Sequence, residues 1–161
     1  MVLAFAGHRP EKLPWGGDET DPRCGALKQA LEAAVSRAVG EGYDTFLCGM
    51  ARGCDFYFAQ AVLDAMERHP GLRLVAFLPC PSQADRWPEQ DRLRQQRLLI
   101  GCSAVHMVEP VYTEGCMLRR NRAMIDRADA LLTVWDGSSG GTGAAIRYAR
   151  KLGKPVQGLW L

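Results

Sequence analysis

The stretch ALLTVWDGSSGGTGAAIRYARKL, Ala130 to Leu152, holds the key to the fold. Ala130 to Trp135 is an apolar run of strand length, and Thr142 to Leu152 spaces its apolar residues as an amphipathic helix does. Between them lies a turn rich in glycine, Asp136-Gly137-Ser138-Ser139-Gly140-Gly141-Thr142-Gly143. Strand, glycine turn and helix in that order form the repeating unit of a parallel sheet.

The unit recurs along the whole chain. Val2 to Ala6, Thr45 to Cys48, Leu72 to Leu78, Ala104 to Val108 and Pro155 to Leu159 are further strand-length apolar runs. Helical spacing appears over Gly25 to Val39 and Asp55 to Glu67, and more faintly over Arg92 to Ile100 and Leu118 to Arg127. Most of the strands are too uniformly apolar for a sheet with one wet face, so helices are expected on both sides. The expected architecture is a single three-layer α/β domain over residues 1–161, with a mostly parallel, doubly wound sheet of six strands.

Composition narrows the function. The formal charge is +2, with 20 basic against 18 acidic side chains, which argues against a broad electrostatic grip on nucleic acid. No apolar run approaches the ~18 residues of a membrane span, and no charged, apolar leader follows Met1, so a cytoplasmic protein without membrane contact is expected. The six cysteines form no C-x-x-C pair, and His8, His69 and His106 stand apart from them, so no metal site is expected. Cys48 reads as a small buried hydrophobe. Cys54, in a glycine loop before a helix, invites a lowered pKa, although an inert thiol is the commoner outcome.

Open parallel sheets bind ligands outside the carboxyl ends of their strands, where this sequence gathers its unusual residues. Gly7-His8-Arg9-Pro10 follows the first strand, Gly49-Met50-Ala51-Arg52-Gly53-Cys54-Asp55 the second, and Pro79-Cys80-Pro81 the third. Glycines at a helix start let backbone N–H groups approach an anion with the helix dipole behind them. Gly49, Arg52 and Gly53 form one such turn, with Asp55 expected to cap the next helix; Gly140, Gly141 and Thr142 form another. Neither matches the G-x-G-x-x-G dinucleotide fingerprint or the G-x-x-x-x-G-K-[ST] phosphate loop. Arg119-Arg120-Asn121-Arg122 opens a helix that leads into the fifth strand, and its three guanidinium groups could clamp a phosphate or ribose from the side. Trp15 and Trp87 stand beside prolines, where anchoring a loop is a commoner use than stacking on a purine.

Taken in order, these pieces resemble the YpsA-like branch of the SLOG superfamily: Gly7 to Leu13, Gly49 to Asp55, Pro79 with Gln83 and Trp87, Asn121 to Asp126, Asp129, Asp136-Gly137 and Gly140-Gly141-Thr142. Wider relatives include the DNA-processing protein DprA and the LOG phosphoribohydrolases. The resemblance implies a Rossmann-like domain that binds a nucleotide or nucleotide-derived small molecule, with no cofactor called for. In that reading Gly49, Arg52, Gly53, Gly140, Gly141 and Thr142 hold phosphate, with Gly7 and His8 alongside. Arg9, Arg119 and Arg122 complete the charge, and Asp136 accepts a ribose hydroxyl.

LOG enzymes carry G-G-x-G-T-x-x-E, whereas Gly140 to Arg147 has no carboxylate there, and the nucleophilic Glu of nucleoside deoxyribosyltransferases falls on Ala145. Binding is therefore favoured over catalysis. The alternative is an N-glycosidase working through Asp55 or Asp136; single-stranded DNA binding of the DprA kind ranks below it. A homo-oligomer remains open.

Overall fold

The computed structural model describes residues 1–160. Six strands alternate with five helices: β1 (Val2–Gly7), α1 (Pro22–Gly40), β2 (Thr45–Cys48), α2 (Cys54–Arg68), β3 (Arg73–Leu78), α3 (Glu89–Gly101), β4 (Ala104–Met107), α4 (Cys116–Arg127), β5 (Ala130–Trp135), α5 (Gly141–Lys151) and β6 (Val156–Trp160). A short 3-10 turn, Pro10–Lys12, follows β1. All five strand pairings are parallel, in the order β4-β3-β2-β1-β5-β6. The expected six-stranded, doubly wound sheet is what forms.

The sheet is covered on both faces because the strand side chains are apolar on both. Phe5, Phe46 and Leu74 pack with Leu31, Phe58 and Val62 of α1 and α2 on one face. On the other, Ala4, Leu47, Phe77 and Leu131 meet Met124 and Ile125 of α4 and Ala145, Ile146 and Ala149 of α5. The two edge strands depart from the expected uniform burial. Val105, His106 and Met107 of β4 and Gln157, Gly158 and Trp160 of β6 are exposed, since an edge strand has a neighbour on one side only.

α1, α3 and α4 start two or three residues before the apolar repeat read from the sequence. α1 begins at Pro22, a residue suited to the first turn, and the Asp21 carboxylate accepts the Arg23 N–H at 2.9 Å. α3 begins after Pro88, and α4 after Gly115, which holds φ at +80°. Among the described residues no helix is long and apolar enough to cross a membrane.

The chain runs from β1 outward to β4, then returns across the sheet to place β5 on the free side of β1. The strand order therefore reverses at β1 and β5. Their carboxyl ends diverge into connections on opposite faces, and the crevice between them is the topological switch point.

Candidate functional site

A cavity of about 490 Å³ opens at that switch point, within the usual size range of small-molecule sites. Gly7, His8 and Arg9 leave β1 into it, and Gly140, Gly141 and Thr142 reach it from β5. The first residues of α4, with Ala51 and Asp55 from the connection after β2, complete the wall.

α5 presents its amino end to this space. Gly140 caps it with φ +139° and ψ −162°, a backbone geometry open to glycine alone, and the first carbonyl bond of the helix is Ala144 N–H to Gly140 O at 2.9 Å. The N–H groups of Gly141, Thr142 and Gly143 therefore have no partner among the described residues. No atom lies within 4 Å of where a Gly141 Cβ would stand. Lys12 reaches over the turn, donating from Nζ to Ser139 O and, at 3.2 Å, to Ser138 Oγ. Arg9 is exposed at the cavity and makes no ion pair among the described residues. The Lys12 ammonium and free N–H groups thus converge on one end of the cavity.

The other end is built differently. Arg120 of α4 is buried, 3% exposed, and reaches under the β2 exit. Its Nη1 donates to Gly49 O and to Phe77 O at 3.3 Å, and its Nε donates to Asn121 Oδ1 at 2.8 Å. Nη2 has no partner among the described residues, and Arg120 lines the cavity. Beside it Asp55, 6% exposed, accepts the Ala51 N–H at 3.0 Å through Oδ2, while Oδ1 has no partner. Burial raises the Asp55 carboxyl pKa, against the opposing pull of Arg120, the Ala51 N–H and Arg9. Burial likewise lowers the Arg120 pKa, against the pull of Asp55.

The segment carrying Asp55 is fixed by buried amides. Gln83 Nε2 donates to Gly49 O at 3.0 Å, and Gln95 Nε2 donates to Met50 O and Gln83 Oε1, each at 3.1 Å. Met50, fully buried, holds φ at +54°, a left-handed geometry that costs a residue with a side chain on the order of 1 kcal/mol. The clamped carbonyls on either side of that peptide hold it there.

His8, 3% exposed, has Nε2 at 2.8 Å from Asp136 Oδ1. Asp136 also accepts the Ser138 N–H at 2.9 Å. Ser138 and then His8 hold the Asp136 carboxyl well below the usual range, and the Asp136 backbone N–H also points at His8 Nε2, 3.1 Å away.

Of the residues named from sequence, Gly7, His8, Arg9, Asp55, Asn121, Gly140, Gly141 and Thr142 come together around the cavity. The others fall elsewhere. Arg52 bonds Glu11 at 2.6 Å and Asp91 at 3.4 Å and lies over the Trp87 ring, outside the cavity lining. Arg119 is held by Glu109 and Thr113, and Arg122 is exposed over Tyr148. Asp136 supports His8 and lies outside the lining. Asp55 does not cap α2; Gly53 does, with φ +86°, because Asp55 is turned inward to Ala51.

Two glycines expected to admit a ligand admit other parts of the protein. A Cβ on Gly49 would stand 2.5 Å from the Arg120 guanidinium, and one on Gly53 would stand 2.8 Å from His8 O. Burial pushes the Cys54 thiol far up rather than down, which makes it inert. Trp87 meets Phe56 edge-on at 5.9 Å and Trp15 is buried in the core, as loop anchors are.

Sequence reasoning gave Lys12, Gln83 and Gln95 no role of their own and did not separate Arg120 from the rest of its basic run. For Arg120 the signal was present: Cys116, Arg120 and Met124 are four residues apart, all buried, and mark the inward stripe of α4.

An all-parallel sheet with this strand order and a polar cavity at its switch point defines a Rossmann-like α/β domain. The chain belongs to the YspA SLOG family, whose model (YpsA) matches residues 3–152. A UPF0398 protein of Bacillus cereus strain G9842 is 27% identical over 157 residues, covering 95% of this chain and 84% of that one. A UPF0398 protein of Bacillus pumilus strain SAFR-032 is 24% identical over 143 residues, covering 88% and 76%. The fold is shared with DNA processing protein A. The Helicobacter pylori structure, described for its single-stranded DNA binding mode, superposes with a TM-score of 0.63 at 20% identity, covering 98% of this chain and 64% of that one. The Streptococcus pneumoniae DprA gives 0.64 at 16%, covering 98% and 49%. The chain thus spans between half and two thirds of the DprA structures it matches.

Proposed function

We propose that the protein binds a nucleotide or nucleotide-derived small molecule in the switch-point cavity, with a phosphate against the amino end of α5. The observation that carries this reading is the set of unpartnered N–H groups at Gly141, Thr142 and Gly143, with Lys12 over the same turn and Arg9 also lining the cavity. An anion there gains three oriented donors, a helix dipole and the Lys12 ammonium. Single-stranded DNA binding would call for an open basic track, whereas Arg52 and Arg119 are engaged by Glu11, Asp91 and Glu109. N-glycosidic hydrolysis of the LOG kind lacks support because Ala145, where a related nucleophile would stand, is a buried methyl in the α4–α5 core.

Thermal denaturation with a panel of nucleotides and their parent nucleosides tests the proposal. At a ligand concentration about 100 times Kd the stabilisation is about 2.7 kcal/mol, a rise in Tm of roughly 5–10 °C for a domain of this size. Nucleosides are expected to give much less. A flat response across the panel, or tight oligonucleotide binding that mononucleotides do not displace, would reject it.

A further inference from the structure

The cavity has two chemically distinct ends, and the phosphate end accounts for only one. Arg120 and Asp55 lie at the other, both more than nine-tenths buried, each with a hydrogen-bonding atom, Nη2 and Oδ1, that has no protein partner among the described residues. Neither atom is among the buried orphans of the fold, and both residues line the cavity, so these are the groups a ligand would satisfy.

Building on the proposed phosphate site, we infer that Asp55 and Arg120 form a second subsite for an uncharged group carrying a hydrogen-bond donor and an acceptor side by side, so that the ligand has one anionic end and one neutral polar end. The carboxylate takes the donor and the guanidinium serves the acceptor. Asp55 Oδ1 is an acceptor that a phosphate dianion has no proton to satisfy, so the pair selects a donor–acceptor group over a second phosphate even with Arg9 nearby. The spacing fits one nucleotide. β5, β1 and β2 are adjacent in the sheet, and two strand spacings separate the α5 end from the β2 exit by ~10 Å, about the reach from the phosphate of a nucleoside monophosphate to its sugar or base. A ribose cis-diol and a nucleobase edge both supply the required donor and acceptor.

Calorimetric titration of inorganic phosphate, ribose 5-phosphate, 2-deoxyribose 5-phosphate, AMP, GMP and ribose 1,5-bisphosphate tests the inference on the wild type and on Asp55→Asn. A gain of roughly 10- to 100-fold over inorganic phosphate is expected where the second subsite is filled. A gain at ribose 5-phosphate that disappears in the deoxy sugar assigns the diol; a gain only at AMP or GMP assigns the base. In either case Asp55→Asn should remove most of the gain. The bisphosphate should bind more weakly than ribose 5-phosphate. Equal affinity for phosphate, the sugar phosphates and the nucleotides in the wild type, a gain that survives Asp55→Asn, or a preference for the bisphosphate would overturn the second subsite and leave the phosphate site standing. Failure of every compound to bind would reject the phosphate site itself.

Discussion

Replacing Gly53 by alanine should be among the most damaging single-methyl changes in this protein. At φ +86° and ψ −126° the residue occupies a region that side chains avoid, at a cost of about 1–3 kcal/mol. The added Cβ would also stand 2.8 Å from His8 O and 3.1 Å from Pro10 N, which are backbone atoms that cannot rotate away. Relieving the clash pulls α2 from the β1 exit and lengthens the 3.1 Å bond from Cys54 N–H to His8 O, costing about 1 kcal/mol more. Together these predict a loss of about 2–4 kcal/mol, or roughly 10 °C in Tm. Two glycines calibrate the effect. Gly16 has φ +58° in open space, so Gly16→Ala should cost about 1 kcal/mol; Gly71 has neither constraint, so Gly71→Ala should fall within about 0.5 kcal/mol of wild type. Urea denaturation of the three variants with matched m-values measures the series. Gly53→Ala as stable as Gly16→Ala would refute the close-approach reasoning.

Arg52→Ala should leave nucleotide affinity within about twofold and stability within about 1 kcal/mol, since its ion pairs are partly solvated, whereas Lys12→Ala should weaken binding severalfold; parallel titrations decide, and the reverse ranking would place the phosphate elsewhere. Asp55→Asn should be more stable than wild type at pH 7. Burial raises the folded-state pKa above the ordinary 3.8, so the wild type pays for ionisation as pH climbs through that window, and the difference should vanish below about pH 3.8; denaturation from pH 3.5 to 8 reads the trend. Of the six cysteines only Cys102 is not buried, and burial still pushes its thiol up to about 11, so native protein at pH 8 should react slowly with a thiol reagent and label Cys102 first.

The strands were legible because a strand covered on both faces is apolar throughout; β2 and β5 were bounded to the residue, and the others within one or two. Most of the site loops were legible too, because topology fixes which strand ends share an edge. The arginines were not. Arg119, Arg120 and Arg122 look alike as a basic run, and only their phase relative to Cys116 and Met124 separates the buried one from the two on the surface. Nor does a glycine declare what it makes room for, since Gly49 could admit a phosphate as readily as the Arg120 guanidinium. The structural roles of Gln83 and Gln95 were not legible because polar residues in a loop and on a polar helix resemble solvated ones until their carbonyl partners are located.

Those glutamines also bear on how the domain comes apart. α3 buries only Gln95 and Leu98, so it is fastened less by oil than by the Gln95 amide, which bonds Met50 O directly and reaches Gly49 O through Gln83 in the preceding loop. Such a fastening exposes little apolar surface when it lets go, which gives its opening a small heat capacity change and little sensitivity to urea. In native-state hydrogen exchange, α3 amides should therefore report a low-energy excursion nearly independent of denaturant, well below the global unfolding seen in β1 and β5. In that excursion Met50 is released from its left-handed backbone, so the unlatching of a peripheral helix and the relaxation of the β2 exit are one event.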